Sequence, residues 1–142
     1  MDPRDFQRLA ERLAAGSSPA ECRSAISRAY YATFNVGAEH LRSFGFAISK
    51  GAAAHGEVIR CFGNCGETHL EEAASELDDL HGRRNQADYR LEAKHIENPQ
   101  EARLIVEQAA DVIRRFDQAV RGPNAPQIKA TIQSWRRANG FP

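Results

Sequence analysis

The fold is decided by the stretch SPAECRSAISRAYYATFNVGAEHL, residues 18–41, which has the pattern of one long amphipathic helix. Ser18 stands at the N-cap position, Pro19 follows at the first helical position, and Glu21 completes a capping box. Apolar or small side chains then recur every three or four residues, as on one face of a helix. They are Cys22, Ile26, Ala29, Tyr30, Thr33, Gly37, Leu41 and Phe44. A stripe of this length predicts a helix that packs against several others.

Helix signals continue on both sides of this stretch, and strand signals are almost absent. Asp2 and Pro3 predict the N-cap and first position of a short helix. Another short helix is expected at about 53–62, and a second long one at about 67–89. The sequence NPQE, residues 98–101, is a further capping-box signal that starts the last long helix. The chain therefore belongs to the all-α class.

Short connections between amphipathic helices favour antiparallel neighbours. We predict an up-down antiparallel bundle of four main helices plus short helices, which forms a homodimer through a leftover apolar face. Residues 1–122 form the bundle, and residues 123–142 form a C-terminal amphipathic helix or tail carrying Ile128, Ile132 and Trp135. The tail has two possible roles, either docking on a partner helix or capping its own bundle.

Composition limits the classes of function. The 142 residues include 19 basic and 19 acidic side chains, so any polyanion must bind to a local patch rather than to bulk positive charge. No apolar run approaches membrane-spanning length, and the N-terminus lacks the apolar core of a signal peptide, which predicts a soluble cytoplasmic protein without membrane contact. The three cysteines form no CxxC pair and are expected to be reduced thiols. Phosphate-binding loops, dinucleotide fingerprints and zinc-protease motifs are missing, so no cofactor is predicted.

Arg84 is the unexpected residue in HGRRNQADYR, residues 81–90, because it lies on the apolar stripe of its helix. Burying an arginine is costly unless it is paired. One explanation is an ion pair with Asp88, four residues further on, or with an acid from a neighbouring helix. The other is an anion site, because a guanidinium fork matches phosphate oxygens. The residues alone leave both explanations open.

Two further sets of side chains have unusual chemistry for their positions. Ser24, Arg28, Tyr31 and Asn35 form a polar line beside the apolar stripe of the first long helix. A solvated face is the simplest explanation, but Tyr31 offers a ring and a hydroxyl to a partner. The second set, His55, Cys61, Cys65 and His69, has the side-chain chemistry of a zinc site. Glycines interrupt this helix and no recognised zinc spacing is met, so we predict no metal site.

Three segments, taken in order, resemble the HEPN superfamily of small helical bundles (higher eukaryotes and prokaryotes nucleotide-binding). They are ISRAYYATFNVGAEHL (residues 26–41), AAHGEVIRCF (53–62) and LDDLHGRRNQADY (77–89). The likeness covers about residues 1–120 and is strongest to small stand-alone HEPN proteins with an R-x-x-A-D-Y ending. It implies a bundle of four to five helices, often dimeric. It also implies that the chain acts as many members do, as a metal-independent endoribonuclease, in some members the toxin of a toxin–antitoxin pair whose partner is a minimal nucleotidyltransferase.

The same resemblance implies which residues would act. Active members carry an arginine, four intervening residues and a histidine, and two copies of this motif meet across the dimer cleft. On this chain the arginine corresponds to Arg84, the polar residue after it to Asn85, and the histidine position to Tyr89. We therefore predict Arg84, Asn85 and Tyr89 as catalytic residues.

Four more side chains, Asp88, Arg28, Tyr31 and His81, are predicted to bind the ligand, which would be RNA or a nucleotide. Tyr89 departs from the family pattern, and a tyrosine hydroxyl is a much poorer base than an imidazole at neutral pH. His81, one turn before Arg84, offers an imidazole that the family pattern does not use. The alternative to an endoribonuclease is a non-catalytic module that binds a nucleotide or docks a nucleotidyltransferase.

Overall fold

The computed structural model describes all 142 residues and contains only helices and loops. The α-helices are α1 (Arg4–Ala14), α2 (Pro19–Ser43), α3 (Ala53–Gly63), α4 (Thr68–Tyr89), α5 (Pro99–Arg121) and α6 (Ala125–Ala138), with a short 3₁₀ helix at His95–Glu97. The predicted all-α class is confirmed. None of the helices combines the length and the apolar character needed to cross a membrane.

Helix α2 lies at the centre and contacts α1, α3, α4 and α5. Its predicted capping box is present: the Ser18 hydroxyl accepts a hydrogen bond from the Glu21 N–H, and the Glu21 carboxylate accepts one from the Ser18 N–H, both at 3.2 Å. The predicted stripe is buried as far as Leu41, and Phe44 is half-buried. Burial extends beyond this stripe to Ala25, Ala32, Val36 and Ala38, so more than one face of α2 packs against other helices.

Gly37 allows α3 and α5 to approach α2 closely. A Cβ atom at this position would lie 3.1 Å from a Val58 methyl carbon and 3.2 Å from the Phe116 ring. Such distances are tighter than ordinary van der Waals contact, so a side chain here would push α3 and α5 away from α2.

Helices α2 and α4 are antiparallel at the end that carries HGRRNQADYR. Ser27 contacts Asp88, and Tyr31 contacts Arg84. The residue number therefore increases along α2 while it decreases along α4. This orientation places Tyr31 in contact with Arg84, and Arg28 lies over the same Tyr31 ring.

The C-terminal segment is mostly helical and packs on its own bundle. Helix α6 has 14 residues, and it contacts α3 and α5. Ile128 and Ile132 are buried in the core. Arg136 makes an ion pair of 2.7 Å with Glu57 of α3. In the single chain this segment therefore caps its own bundle, and docking on a partner helix stays a prediction.

The other predicted helix starts are correct in their main interaction but differ in detail. The Asp2 carboxylate accepts a hydrogen bond of 2.9 Å from the Arg4 N–H, although α1 begins at Arg4 rather than at the preceding proline. Asn98 caps α5, since its side chain accepts from the Glu101 N–H at 3.3 Å. The Glu101 carboxylate instead lies 3.4 Å from Arg83, so the reciprocal half of the predicted capping box is wrong.

Candidate functional site

Arg84 lies in the second-last turn of α4 and is surrounded by four polar or aromatic side chains. Its Nε is 2.9 Å from the Asp88 carboxylate, and its Nη1 donates a hydrogen bond of 3.2 Å to Asn85 Oδ1. Its Nη2 donates to the hydroxyl of Tyr31 and, at 3.3 Å, to the hydroxyl of Tyr89. The guanidinium carbon is 4.9 Å from the Tyr31 ring centroid and 5.2 Å from that of Tyr89, within cation–π distance of both. We call these five residues the Arg84 cluster.

The predicted Arg84–Asp88 ion pair is present, but it does not use all the hydrogen-bonding capacity of either side chain. The buried Arg84 Nε has no aligned hydrogen bond in spite of the short distance to the carboxylate. Asp88 also accepts a hydrogen bond of 3.0 Å from the Ser27 hydroxyl, and its side chain is 29% exposed. The carboxylate therefore orients Arg84 while remaining partly in water.

Arg28 adds a second positive charge to the same place. Its guanidinium carbon is 4.8 Å from the Tyr31 ring centroid and 5.3 Å from the ring of Phe6 on α1. No acidic side chain pairs with Arg28. Arg28 and Arg84 thus share the Tyr31 ring, and Asp88 is the one carboxylate paired with either of them. This surface has a local excess of positive charge although the whole chain is neutral.

The polar line of α2 is only partly brought into the site. Arg28 and Tyr31 reach the Arg84 cluster. Ser24 is exposed and has no contact with the cluster, and the Asn35 side chain donates a hydrogen bond of 2.8 Å to the backbone carbonyl of Tyr31 within its own helix. The plain solvated-face explanation therefore fits Ser24, and it does not fit Tyr31.

His81 lies one turn before Arg84 and packs against aromatic rings instead of hydrogen-bonding to the cluster. Its ring centroid is 5.1 Å from those of Tyr30 and His55. Burial, and after it the positive charge of Arg84, lowers the pKa of His81, while Asp78 acts in the opposite direction. The neutral imidazole is favoured, which leaves a basic ring nitrogen beside the cluster.

The four residues with zinc-site chemistry do not converge. His55 lies in the ring stack with His81, and Cys61 Sγ is 3.5 Å from Nη1 of Arg136. Burial raises the pKa of Cys65 to about 11, so its thiol stays protonated, and the His69 side chain is 83% exposed. No three histidine, cysteine, aspartate or glutamate side chains are grouped so that they could hold a metal ion.

Arg23 is an important residue that the sequence-based reasoning missed. Its side chain is 10% exposed, and its Nε donates a hydrogen bond of 2.8 Å to Glu97. The rest of its guanidinium donates to five backbone carbonyls, those of Gln86, Ala87, Arg90, Leu91 and Ala93. These carbonyls lie in the last turn of α4 and in the loop that follows it, so Arg23 fixes the segment that carries Asp88 and Tyr89. Arg23 is four residues before Ser27 and seven before Tyr30, so the spacing places it on the face of α2 toward α4. This spacing could have identified it as a contact between the two helices.

A second arginine-rich surface lies in a groove of about 570 Å³ between α1 and α5. It is lined by Arg4, Arg8, Arg114 and Arg121, among others. The first three are ion-paired with Asp117, Asp5 and Asp111 respectively. Most of the arginines of this groove are thus ion-paired with carboxylates of the same chain, whereas Arg28 is not. No tyrosine lines the groove.

The Arg84 cluster and Arg28 together can attract an anion and offer it hydrogen-bond donors. Guanidinium groups donate in a fixed plane that suits phosphate oxygens, and the tyrosine hydroxyls add two further donors. The Tyr89 side chain projects outward, since this residue is 70% exposed. An exposed ring beside a guanidinium can also stack on a base.

Comparisons with known proteins leave the chain without a demonstrated family. No protein-family model matches it. No curated protein and no solved structure matches it either. The function is therefore inferred from the geometry of these side chains.

Proposed function

We propose that this chain is a HEPN-type protein that binds RNA or a nucleotide through phosphate at the Arg84 cluster, and that it cleaves RNA without a metal ion. The observation that carries the proposal is the placement of Arg28 and Arg84 on one tyrosine ring, with a single carboxylate beside them. Such an excess of positive charge at a partly dry surface favours a phosphate, whose charge the two guanidinium groups would compensate.

The roles of the residues follow from their positions. Arg84 donates to the non-bridging phosphate oxygens and stabilises the charge that develops there during attack by the ribose 2′-hydroxyl. Asp88 holds Arg84 in orientation, and Asn85 supports the guanidinium from its own helix. The hydroxyls of Tyr31 and Tyr89 donate hydrogen bonds to the phosphate of the ligand. The exposed ring of Tyr89 stacks on a base of the ligand.

The proposal includes the arrangement of helices and the oligomer. The antiparallel contacts of α2 with α4 support a four-helix up-down bundle with α6 as an added helix. In the proposed homodimer, the Arg84 clusters of the two copies face one cleft, so that each phosphodiester meets two arginine sites. The resemblance of the three sequence segments to HEPN proteins supports this assembly. The same resemblance supports the proposal that the chain is a cytoplasmic ribonuclease, which in some members of the family is a toxin.

The direct test is cleavage of a labelled single-stranded RNA in EDTA by wild type and by Arg84→Ala. We expect wild type to form a product ending in a 2′,3′-cyclic phosphate and Arg84→Ala to lose cleavage by at least about 100-fold, as when one transition-state donor is removed. The matched control is Arg83→Ala, because Arg83 is the neighbouring arginine, 40% exposed and paired with Glu101. Absence of cleavage by wild type, or equal cleavage by Arg84→Ala, contradicts the catalytic part of the proposal.

A second function is favoured by the residue at position 89. Tyr89 replaces the histidine of the active family members, and its hydroxyl is exposed beside Arg84. This arrangement suits a non-catalytic module that a minimal nucleotidyltransferase partner docks on and modifies at the tyrosine. Mass spectrometry of the chain after co-expression with such a partner distinguishes the two functions: an added nucleotide that disappears in Tyr89→Phe supports the module, and an unchanged mass contradicts it.

A further inference from the structure

Four rings from three helices, those of Tyr30, Phe34, His55 and His81, pack against one another in one cluster. The Phe34 ring of α2 lies 4.3 Å from the His55 ring of α3. The His55 and His81 rings are 5.1 Å apart and nearly parallel, with 6° between their planes, and the Tyr30 ring lies 5.1 Å from that of His81. No sequence pattern connects His55 with the Arg84 cluster, since the two are on different helices.

Tyr30 determines which nitrogen of His55 carries the proton. Tyr30 is fully buried, and its hydroxyl contacts Nδ1 of His55. Burial raises the pKa of Tyr30, so the phenol keeps its proton and needs an acceptor. If the hydroxyl donates to Nδ1, both groups are satisfied; in the reverse direction the phenol hydrogen has no partner. The neutral His55 therefore carries its proton on Nε2 and is held in one ring orientation.

The groups that face the two imidazoles keep them uncharged. For His55, burial lowers the pKa first, and the neighbouring His81 and Arg84 lower it further. For His81, burial and Arg84 act in the same direction, and only Asp78 opposes them by raising the pKa. Neither imidazole forms an ion pair with a carboxylate. His81 is thus a neutral imidazole packed against the rings of Tyr30 and His55, which lie 5.6 Å from each other. It stands three residues before the proposed phosphate-binding arginine on the same helix.

We propose that His81 is the general base of the Arg84 site and that His55 and Tyr30 are the positioning residues that hold its ring. This inference rests on the proposed cleavage of RNA. His81 takes the proton of the ribose 2′-hydroxyl while the 2′-oxygen bonds to phosphorus and the bond from phosphorus to the 5′-oxygen breaks. The 5′-oxygen leaves with the bonding electrons and takes a proton from water, and the hydroxide formed is neutralised by the proton that His81 releases. No oxidant, reductant or metal ion is consumed.

The proposal explains how a site with tyrosine at position 89 can still have an imidazole. His81 lies one turn before Arg84, whereas the family position lies five residues after it. Residues three apart on a helix project from nearly the same side, so His81 and Arg84 can reach one phosphodiester together. The ring of His81 needs support because, unlike Arg84, it has no hydrogen bond of its own to the cluster. The stack with Tyr30 and His55 supplies that support.

The experiment measures the pH dependence of RNA cleavage in EDTA for wild type, His81→Gln, His81→Phe and His55→Gln. The phenylalanine keeps the ring stack and the glutamine keeps a polar group, and both remove the base. We expect each His81 variant to lower kcat by at least about 100-fold, which is the usual contribution of a general base. His55→Gln should shift the acidic limb of the pH profile of cleavage. It should lower kcat less than the His81 variants do. His69→Gln, at an exposed position, should behave as wild type.

The outcomes separate this inference from the function on which it rests. If Arg84→Ala loses cleavage and both His81 variants, shown to be folded by circular dichroism, cleave as wild type does, His81 is not the base and the proposed function stands. If His55→Gln leaves the pH profile unchanged while the His81 variants are inactive, the positioning role of His55 is wrong. If wild type cleaves no RNA at any pH, the proposed cleavage and this inference both fail.

Discussion

Arg84 and Arg136 are two arginines of this chain that lie against aromatic rings and pair with a carboxylate, yet their surroundings differ. The Arg136 side chain is 1% exposed and that of its partner Glu57 is 2% exposed. The Arg84 side chain is 12% exposed, and its partner Asp88 is 29% exposed. Arg136 also donates a hydrogen bond of 2.9 Å to a backbone carbonyl at Ala47, in the loop before α3, whereas Arg84 donates only to side chains.

The difference shows how an arginine that stabilises the fold is distinguished from one that can bind a ligand. Both ends of the Arg136–Glu57 pair are dry, so losing either one leaves a buried charge. At Arg84 water already reaches the carboxylate, and the tyrosine hydroxyls that meet the guanidinium can rotate toward a ligand. The first pair joins α6 to the bundle, and the second holds an arginine at a surface. The contrast predicts that removing Arg136 costs far more stability than removing Arg84.

The largest effect is expected at the buried pair. Arg136→Met should lower the free energy of unfolding by about 3–5 kcal/mol, because it leaves Glu57 as an unpaired charge in the core. The double variant Arg136→Met with Glu57→Leu should recover most of this loss, since the buried charge is gone. Urea unfolding provides the measurement. Arg137→Ala, at the exposed neighbouring position, is the control and should change stability by no more than about 0.5 kcal/mol.

An intermediate effect is expected at the end of α4. Arg23→Ala removes the donor to five carbonyls and the partner of Glu97, and it should cost about 2–3 kcal/mol. Because this end carries Asp88 and Tyr89, amide hydrogen exchange at 86–91 should accelerate more than elsewhere in the chain. Ser24→Ala, one residue along and exposed, is the matched control. Uniform exchange across α4 in the Arg23 variant would mean that Arg23 does not hold this segment.

A smaller effect should appear when pH is lowered. The pKa values of His55 and His81 are lowered in the folded chain, chiefly by burial, from the ordinary value of 6.5. Between the folded and unfolded pKa values the unfolded chain binds more protons, so the stability from these two groups is complete above about pH 6.5 and declines below it. Urea midpoints measured from pH 5 to 8 should show this decline in wild type. In His55→Phe with His81→Phe the decline should be flatter, and equal slopes would exclude the two imidazoles as its source.

The smallest stability effect is expected at Arg84. Arg84→Ala should cost no more than about 1 kcal/mol, because water can hydrate Asp88 once the guanidinium is gone. Arg83→Ala, beside it on α4, should give a similar small value. A destabilisation of about 3 kcal/mol or more, as expected for Arg136→Met, would place Arg84 among the structural arginines.

The helices of this fold could be predicted because their signals are local. The capping residues Ser18 and Glu21 are three apart, and the buried stripe of α2 needs only a three-four spacing. The Arg84–Asp88 pair is predictable for the same reason, since residues four apart meet on a helix. The antiparallel approach of α2 and α4 near this end is seen from two contacts in the structure, Ser27 with Asp88 and Tyr31 with Arg84.

The remaining features depend on packing between distant segments. Nothing in the local spacing connects His55 with His81, because they lie on different helices with a loop between them. The ion pair of Arg136 with Glu57 is also non-local, although Ile128, Ile132 and Arg136 recur every four residues and therefore share a face. The exposed Arg137 next to Arg136 conceals this pattern, since the sequence WRR suggests a solvated basic end.

The most direct test of the central claim, that Arg28 and Arg84 form a phosphate-binding surface, is the salt dependence of RNA affinity. The ligand is a labelled single-stranded 2′-O-methyl RNA, which lacks the attacking hydroxyl, and fluorescence anisotropy gives the binding constant at several salt concentrations. For Arg28→Ala with Arg84→Ala, the slope of log K against log salt should be smaller than for wild type by about 0.7 for each phosphate that the variant no longer neutralises. The control Arg83→Ala with Arg114→Ala, which removes two ion-paired arginines, should keep the wild-type slope. Equal slopes for wild type and the Arg28 and Arg84 double variant would contradict the account.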